Sequence, residues 1–414
     1  MGLYADAGLI NIAKQLFEQT PHRDVVLWTS LVSAYAKCGL PDEARHAFDQ
    51  MPERNAVSWA AVISAYSQGA RHKEALLVFD EMHYAGVEPT EATLISVLSS
   101  AGYIGALKEG KWVHDYVIHN QIFLTASLGT ALLSMYAKCG CIDDAIQVFA
   151  GMPQRDELAW TTMISALAMH GQGELALVLF YEMLSLGLRP DHVTFVGVLS
   201  ACSHAGLIEE GRYHFKCMKD TFRIEPRVEH FGCMVDILGR GGYVEEAWDF
   251  VQAMPMEPDV LVLKSLLSAC ASYGRVEYAE WAAKKLNKLD PGIASSYVLL
   301  ANAYANLGRW ADAERVRKMM RDRGVTKTPG CSLIEVGGVV HQFVAGENEE
   351  HHQIKEIKST LHQMDKLLRL VDQSPTLLVA VNSNTLVLKE PSNGGSFLSR
   401  GIKMEMRKLR ITYK

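Results

Sequence analysis

Between Glu157 and Asp191, apolar residues recur at helical spacing on both sides of a glycine. Trp160, Met163, Ile164 and Leu167 precede Gly171, Ala176, Phe180 and Met183 follow it, and Arg189-Pro190-Asp191 closes the unit. This pattern predicts a helix, a tight turn and a second helix, about 35 residues in all. The same arrangement recurs along the chain. Its turn residues are Gly8, Gly39, Ala70, Gly105, Gly140, Gly171, Gly206, Gly242, Gly274 and Gly308, at intervals of 31, 31, 35, 35, 31, 35, 36, 32 and 34 residues. Short and long units are therefore mixed, and glycine supplies the backbone freedom that ends each first helix.

The second helices repeat a small, an aromatic and a methionine position: Ala44/Phe48/Met51, Ala75/Phe79/Met82, Ala145/Phe149/Met152 and Ala176/Phe180/Met183. Recurrence marks this stripe as core packing, not a cofactor box. Trp28, Trp59 and Trp160 on the first helices are expected to form the seam between repeats. The predicted fold is all-α, an α-solenoid of helix–turn–helix repeats in which each repeat touches only its neighbours. The bounds are 1–24 (partial), 25–55, 56–90, 91–125, 126–156, 157–191, 192–227 and 228–259, with two divergent hairpins at 260–294 and 295–330. After Pro329-Gly330 the residues alternate and turn at Gly337-Gly338, which predicts a β-hairpin. A polar link at 346–352 and a short helix to Met364 follow. Residues 365–414 diverge from everything before them and read as a frayed tail with a loop at Ser392–Gly395 and a basic end.

Composition changes this picture little. The 414 residues are 49% hydrophobic, and 41 basic against 47 acidic side chains give a net charge of −6. That sum is no argument for nucleic acid, and it says nothing about any one face. No apolar run approaches a bilayer span, so no membrane partner is expected, and no small-molecule partner is expected either. The eight cysteines (Cys38, Cys139, Cys141, Cys202, Cys217, Cys233, Cys270, Cys331) include no C-x-x-C pair, so they read as small packing thiols and not as zinc ligands. Residues 1–8 match the end of a first helix elsewhere, so the first hairpin is expected to be partial, with a targeting leader absent.

Ala34-Tyr35-Ala36-Lys37-Cys38-Gly39 and Met135-Tyr136-Ala137-Lys138-Cys139-Gly140 resemble the short motif of the pentatricopeptide repeat family of plant organelles, and Ala201-Cys202-Ser203-His204-Ala205-Gly206 its long motif. The chain is similar to the mixed-length (PLS) subclass. Residues 260–330 look like its E region, and 331–364 like the extension that follows, through Ile334-Glu335-Val336 and Phe343-Val344-Ala345-Gly346. The resemblance implies a right-handed solenoid that binds single-stranded RNA in a mitochondrion or, alternatively, a chloroplast. The tetratricopeptide repeat, a protein-binding scaffold, is the rival. Its period is constant, and its signature glycine is replaced here by Val32, Ile63 and Ile164.

Helical repeats can read one base each through two or three side chains. The resemblance implies that the fifth and last residues of each repeat choose the base. Those pairs are Thr29/Asn55, Ala60/Thr90, Ile95/Thr125, Thr130/Asp156, Thr161/Asp191, Val196/Arg227 and Gly232/Asp259. A carboxylate only accepts, so Asp156 and Asp191 suit the N1–H of guanine, while the Asn55 amide can donate to the N1 of adenine. Val26, Val57, Leu158 and Val193, at second positions, would sandwich bases. With the family's parallel polarity the expected target is 5′-A-N-N-G-G-N-N. The competing account of each last residue is an ordinary helix N-cap.

Catalytic patterns are weak. His72-Lys73-Glu74 is an H-x-E without the C-x-x-C that a zinc deaminase needs. Gly105–Lys111 begins like a P-loop but continues with Trp112. His351-His352 stands alone in the polar link. No catalytic residue, metal or cofactor is expected, and the chain is not expected to be an enzyme. The resemblance implies that it specifies C-to-U editing sites and recruits a deaminase-bearing partner through the E region. The alternatives are transcript stabilisation or processing without base modification, and protein scaffolding.

Overall fold

In the computed structural model the described residues are 4, 7–327, 329–336, 339–344, 355–363, 378–382 and 385–389. They fall into two units, Met1–Thr326 and Lys327–Lys414. In the first unit a single helix, α1 (Ile10–Gln19), precedes a run of hairpins. These are α2 (Val25–Lys37) with α3 (Pro41–Asp49), α4 (Ala56–Gln68) with α5 (His72–Tyr84), α6 (Glu91–Ile104) with α7 (Leu107–His119), and α8 (Ala126–Lys138) with α9 (Ile142–Gly151). There follow α10 (Glu157–Met169) with α11 (Gly173–Ser185), α12 (His192–Ala205) with α13 (Ile208–Asp220), and α14 (Val228–Arg240) with α15 (Val244–Gln252). The last two hairpins are α16 (Val260–Tyr273) with α17 (Val276–Leu289), and α18 (Ala294–Asn306) with α19 (Trp310–Asp322).

The stacking is that of an α-solenoid. Each first helix packs on its own partner and on the first helices before and after it, as α10 does on α11, α8 and α12. Within a hairpin the turn demands a left-handed residue, and Gly171 supplies it at φ +72°. Ala70 takes the same conformation at φ +58°, where its Cβ costs about 1–2 kcal/mol.

The aromatic seam forms as expected. A phenylalanine on the second helix of one repeat meets the aromatic residue at the fourth position of the next. Ring centroids are 4.6 Å apart for Phe17–Trp28 and Phe48–Trp59, 4.9 Å for Phe149–Trp160 and 5.6 Å for Phe180–Phe195, all edge to face. Each such pair contributes about 0.5–1.5 kcal/mol beyond burial. In the hairpin at 91–125 the fourth position is Leu94, and Trp112 on α7 meets Phe79 instead at 5.3 Å. Ala44, Ala75, Ala145 and Ala176 are fully buried, which lets the helices approach closely. One apolar spine runs from Phe17 to Ile237 and another from Val235 to Val316. Cys139, Cys202 and Cys270 lie in it, and burial pushes the thiols of Cys202 and Cys270 up to about 12.

In the second unit β1 (Cys331–Val336) pairs antiparallel with β2 (Val339–Val344), Cys331 opposite Val344, as the alternation predicted. A helix spans 355–363. The tail is not simply frayed. Strands β3 (Leu378–Asn382) and β4 (Thr385–Lys389) form a second antiparallel hairpin, whose alternating Leu and Val residues suit a strand better than a loop. The Gly337-Gly338 turn, the link with His351-His352, the loop at Ser392–Gly395 and the basic end lie outside the described residues. Among the described residues no helix is long and apolar enough to cross a membrane, and no cluster of His, Cys, Asp and Glu could hold a metal ion.

Candidate nucleic-acid interface

The last residue of each repeat is the N-cap of the next first helix. Side-chain oxygens of Asn55, Thr90, Thr125, Asp156, Asp191 and Asp259 accept from the backbone N–H three residues on, at 2.8, 3.3, 3.1, 2.9, 2.8 and 2.9 Å. The capping account is therefore correct, yet it does not exhaust these side chains. In Asn55, Asp156, Asp191 and Asp259 the bond uses Oδ1. The Asn55 amide nitrogen and the second carboxylate oxygens of Asp156 and Asp259 have no protein partner among the described residues, while the Asp191 carboxylate also interacts with the Val193 N–H. A cap and a base can thus be served by opposite sides of one group. Arg227 differs, because its N–H donates to His230 Nδ1 at 3.0 Å while His230 Nε2 donates to the His192 carbonyl at 2.8 Å.

The second-position residues Val26, Val57, Leu158 and Val193 are all exposed, Val26 by 71% and Leu158 by 60%. They occupy the same place in two pairs of neighbouring repeats, separated by repeats with Ala92 and Ser127 at that position. Between the first two complete repeats Val26, Thr29, Asn55 and Val57 come together and, with Ser30, Ser33, Ala34 and Lys37, line a cleft of about 400 Å³. That is room for a planar ring, within the roughly 300–1,000 Å³ of small-ligand sites. A second cleft of about 480 Å³ gathers Asp191 and Arg227 with the loop residues beside them.

The fifth positions are less uniform. Thr29 is half-buried and donates to the Val25 carbonyl at 2.7 Å. Thr130 is only 8% exposed, and its hydroxyl has no partner. Thr161 is 5% exposed and bonds to Thr194 at 2.7 Å, so it meets Asp191 only through that residue. Ala60, Ile95, Val196 and Gly232 are half-buried and carry no polar group.

Family models match several segments of the chain. The model described as the PPR repeat matches 26–55, 57–87, 130–156, 193–220 and 229–257, the PPR repeat family model matches 155–204, and the E motif matches 273–335. A chloroplastic pentatricopeptide repeat-containing protein of Arabidopsis thaliana is 47% identical over 379 residues, 92% of this chain and 70% of that protein. The chain is a pentatricopeptide repeat protein. A mitochondrial relative from the same plant is 45% identical over 369 residues, 89% of this chain and 54% of its own length. The chain thus spans about half the length of several curated relatives it matches. Among solved structures, the pentatricopeptide repeat protein PPR10 in complex with an 18-nt psaJ RNA element shares the fold at TM-score 0.54 and 18% identity, over 79% of this chain and 54% of that one.

This pentatricopeptide repeat protein carries features that its sequence did not announce. In the short repeats the penultimate residue is an arginine that closes the preceding helix. Arg155 donates to the carbonyls of Phe149 and Ala150, both at 2.7 Å, and lies over the Phe149 ring, while Arg54 repeats the arrangement on Phe48 and Asp49. The repeats at 56–90, 157–191, 192–227 and 228–259 place Pro89, Pro190, Pro226 and Pro258 there, and only 91–125, with Leu124, has neither. Either device fixes the loop that presents the last residue, and the alternation of Arg with Pro was its signal. Leu261, at the second position of the 260–294 hairpin, is also exposed, although Glu229 holds that position in the repeat between it and Val193.

Four of the histidines in the stack are shifted by burial. Burial pushes His72, His114, His214 and His230 below the usual imidazole range, and Lys138 adds to the effect at His72. The unfolded chain takes up these protons near pH 6.5 while the folded chain refuses them, so stability present above that pH is lost as pH falls below it. The expected result is a lower melting temperature by circular dichroism at about pH 5.5 than at about pH 7.5. The loss is at most about 1.4 kcal/mol per histidine per pH unit. A melting temperature equal or higher at the lower pH contradicts this.

Proposed function

We propose that this chain binds single-stranded RNA in a plant organelle, one base per repeat, and marks cytidines for conversion to uridine. The observation that carries the proposal is the cleft where Val26, Thr29, Asn55 and Val57 meet. Two apolar walls and a free amide donor are what an adenine needs. Exposed Asp156 and Asp191 offer an acceptor at the corresponding places, which suits guanine. Thr90, Thr125 and Asp259 occupy the same position in their repeats, with Ala60, Ile95 and Gly232 as partners that cannot choose by hydrogen bonding. The target reads 5′-A-N-N-G-G-N-N, with the edited cytidine 3′ of it.

The E motif at 273–335 supports a role in editing. In this reading, residues 260–330 and the extension to 364 dock a deaminase supplied in trans, and the chain is not itself the enzyme. Mitochondrial and chloroplastic relatives support an organellar location, mitochondrion or chloroplast. The test is to sequence organellar transcripts from a plant line lacking the gene. At least one cytidine following an A-N-N-G-G element should remain unconverted. Intact conversion everywhere, with altered transcript ends or abundance, would instead identify a stabilising or processing factor.

A further inference from the structure

Two repeats carry the same pair of letters, Thr130/Asp156 and Thr161/Asp191, but the structure does not treat them alike. The difference lies in the third residue of the following repeat, which is Ala159 in one case and Thr194 in the other. Thr194 is fully buried, and its hydroxyl donates to Asp191 Oδ1 at 2.8 Å while accepting from the Asp191 N–H at 3.2 Å. With that proton committed, the 2.7 Å contact between the two threonine hydroxyls has one direction: Thr161 donates to Thr194. The chain of bonds runs from Thr161 through Thr194 to the carboxylate. Such a chain strengthens each member and fixes its orientation. At the other repeat Ala159 offers only its N–H to Asp156, and the buried Thr130 hydroxyl has no partner.

We propose that Thr194 is a specificity-determining positioning residue, which links the buried Thr161 to Asp191 and makes that site a stricter reader of guanine than its twin at Asp156. The proposal rests on the base-reading function above. The relay holds Oδ1 against the helix N-terminus from two sides, the Val193 N–H also faces the carboxylate, and together they fix the direction in which the outer oxygen accepts. Guanine presents N1–H and N2–H donors to it, whereas adenine presents the N1 acceptor. At Asp156 the carboxylate is held by one bond and the Thr130 proton is free to turn, so a mismatched base is tolerated better. Burial opposes ionisation of Asp191, but the Thr194 N–H and hydroxyl, with His192 and the Val193 N–H, together keep the carboxyl below the usual range, consistent with this arrangement.

The experiment is a fluorescence-anisotropy titration of the full chain with 5′-A-N-N-G-G RNA and with versions carrying adenine at the fourth or the fifth position. Wild type should prefer guanine at both, and more strongly at the fifth. Thr194→Val should lower the guanine-to-adenine ratio at the fifth position about three- to tenfold, the range for one hydrogen bond, and leave the fourth unchanged. Thr194→Ser should restore the ratio. Ala159→Thr, which supplies the missing hydroxyl in the other repeat, should raise the ratio at the fourth position and carries the test if Thr194→Val does not fold. A role confined to stability would instead weaken both RNAs equally. Equal loss, or unchanged ratios against a wild type that does discriminate, overturns the relay and leaves the base-reading function standing. A wild type that ignores the base at both positions removes that function and the relay with it.

Discussion

Trp160→Ala is expected to cost the solenoid about 3–5 kcal/mol. Trp160 is 1% exposed, and its indole meets Phe149 of the preceding hairpin at 4.9 Å. Truncation removes that contact and leaves a cavity at the join between two repeats. Nothing nearby can collapse into the space without pulling α10 off α9, which the rest of the stack resists. A solenoid is held by interfaces between neighbours, so weakening one also uncouples the segments on either side. Chemical unfolding followed by circular dichroism should therefore show an earlier and broader transition. Leu167→Ala, also fully buried, should fall at the lower end, about 2–5 kcal/mol. An unchanged unfolding midpoint for Trp160→Ala would mean the aromatic seam does not carry the stack.

Asp191→Asn should change what is bound at only a modest cost to folding, the cost being the stabilisation the fold gives the ionised carboxylate. The substitution keeps the shape of the side chain and its Oδ1. The cap to the Thr194 N–H at 2.8 Å and the acceptance from the Thr194 hydroxyl at 2.8 Å can both persist. Asn55 shows that an amide caps this position equally well, through the same 2.8 Å bond and a reciprocal bond from its own N–H to Ser58. What changes is the other side of the group, where an acceptor becomes a donor. Preference at the fifth base should move from guanine toward adenine by on the order of 1–3 kcal/mol.

Much of this was legible because repetition amplifies weak local signals. The Ala/Phe/Met stripe and the recurring tryptophans gave the hairpins and the seam, since no isolated helix would repeat those positions by chance. The hairpin after Pro329-Gly330 was equally plain from its alternation. Two features stayed hidden for physical reasons. Whether a last residue caps a helix or faces a ligand is not a choice a sequence can display, because Asp and Asn have two ends and the cap uses Oδ1. The bond between Thr161 and Thr194 joins residues 33 positions apart, and nothing in either residue's own repeat points to the other. The strands at 378–382 and 385–389 were overlooked because the surrounding tail lacks the helical period used to parse everything before it.

The most direct test is a crossed titration. Wild type and Asp191→Asn are each measured against 5′-A-N-N-G-G and 5′-A-N-N-G-A RNA at one salt concentration, since phosphate contacts make affinity depend on it. The account predicts a crossover, with wild type preferring the first RNA and the variant the second, while a scrambled RNA binds neither well. If both proteins rank the two RNAs identically, or bind the scrambled sequence as tightly, the last residues of these repeats do not choose bases.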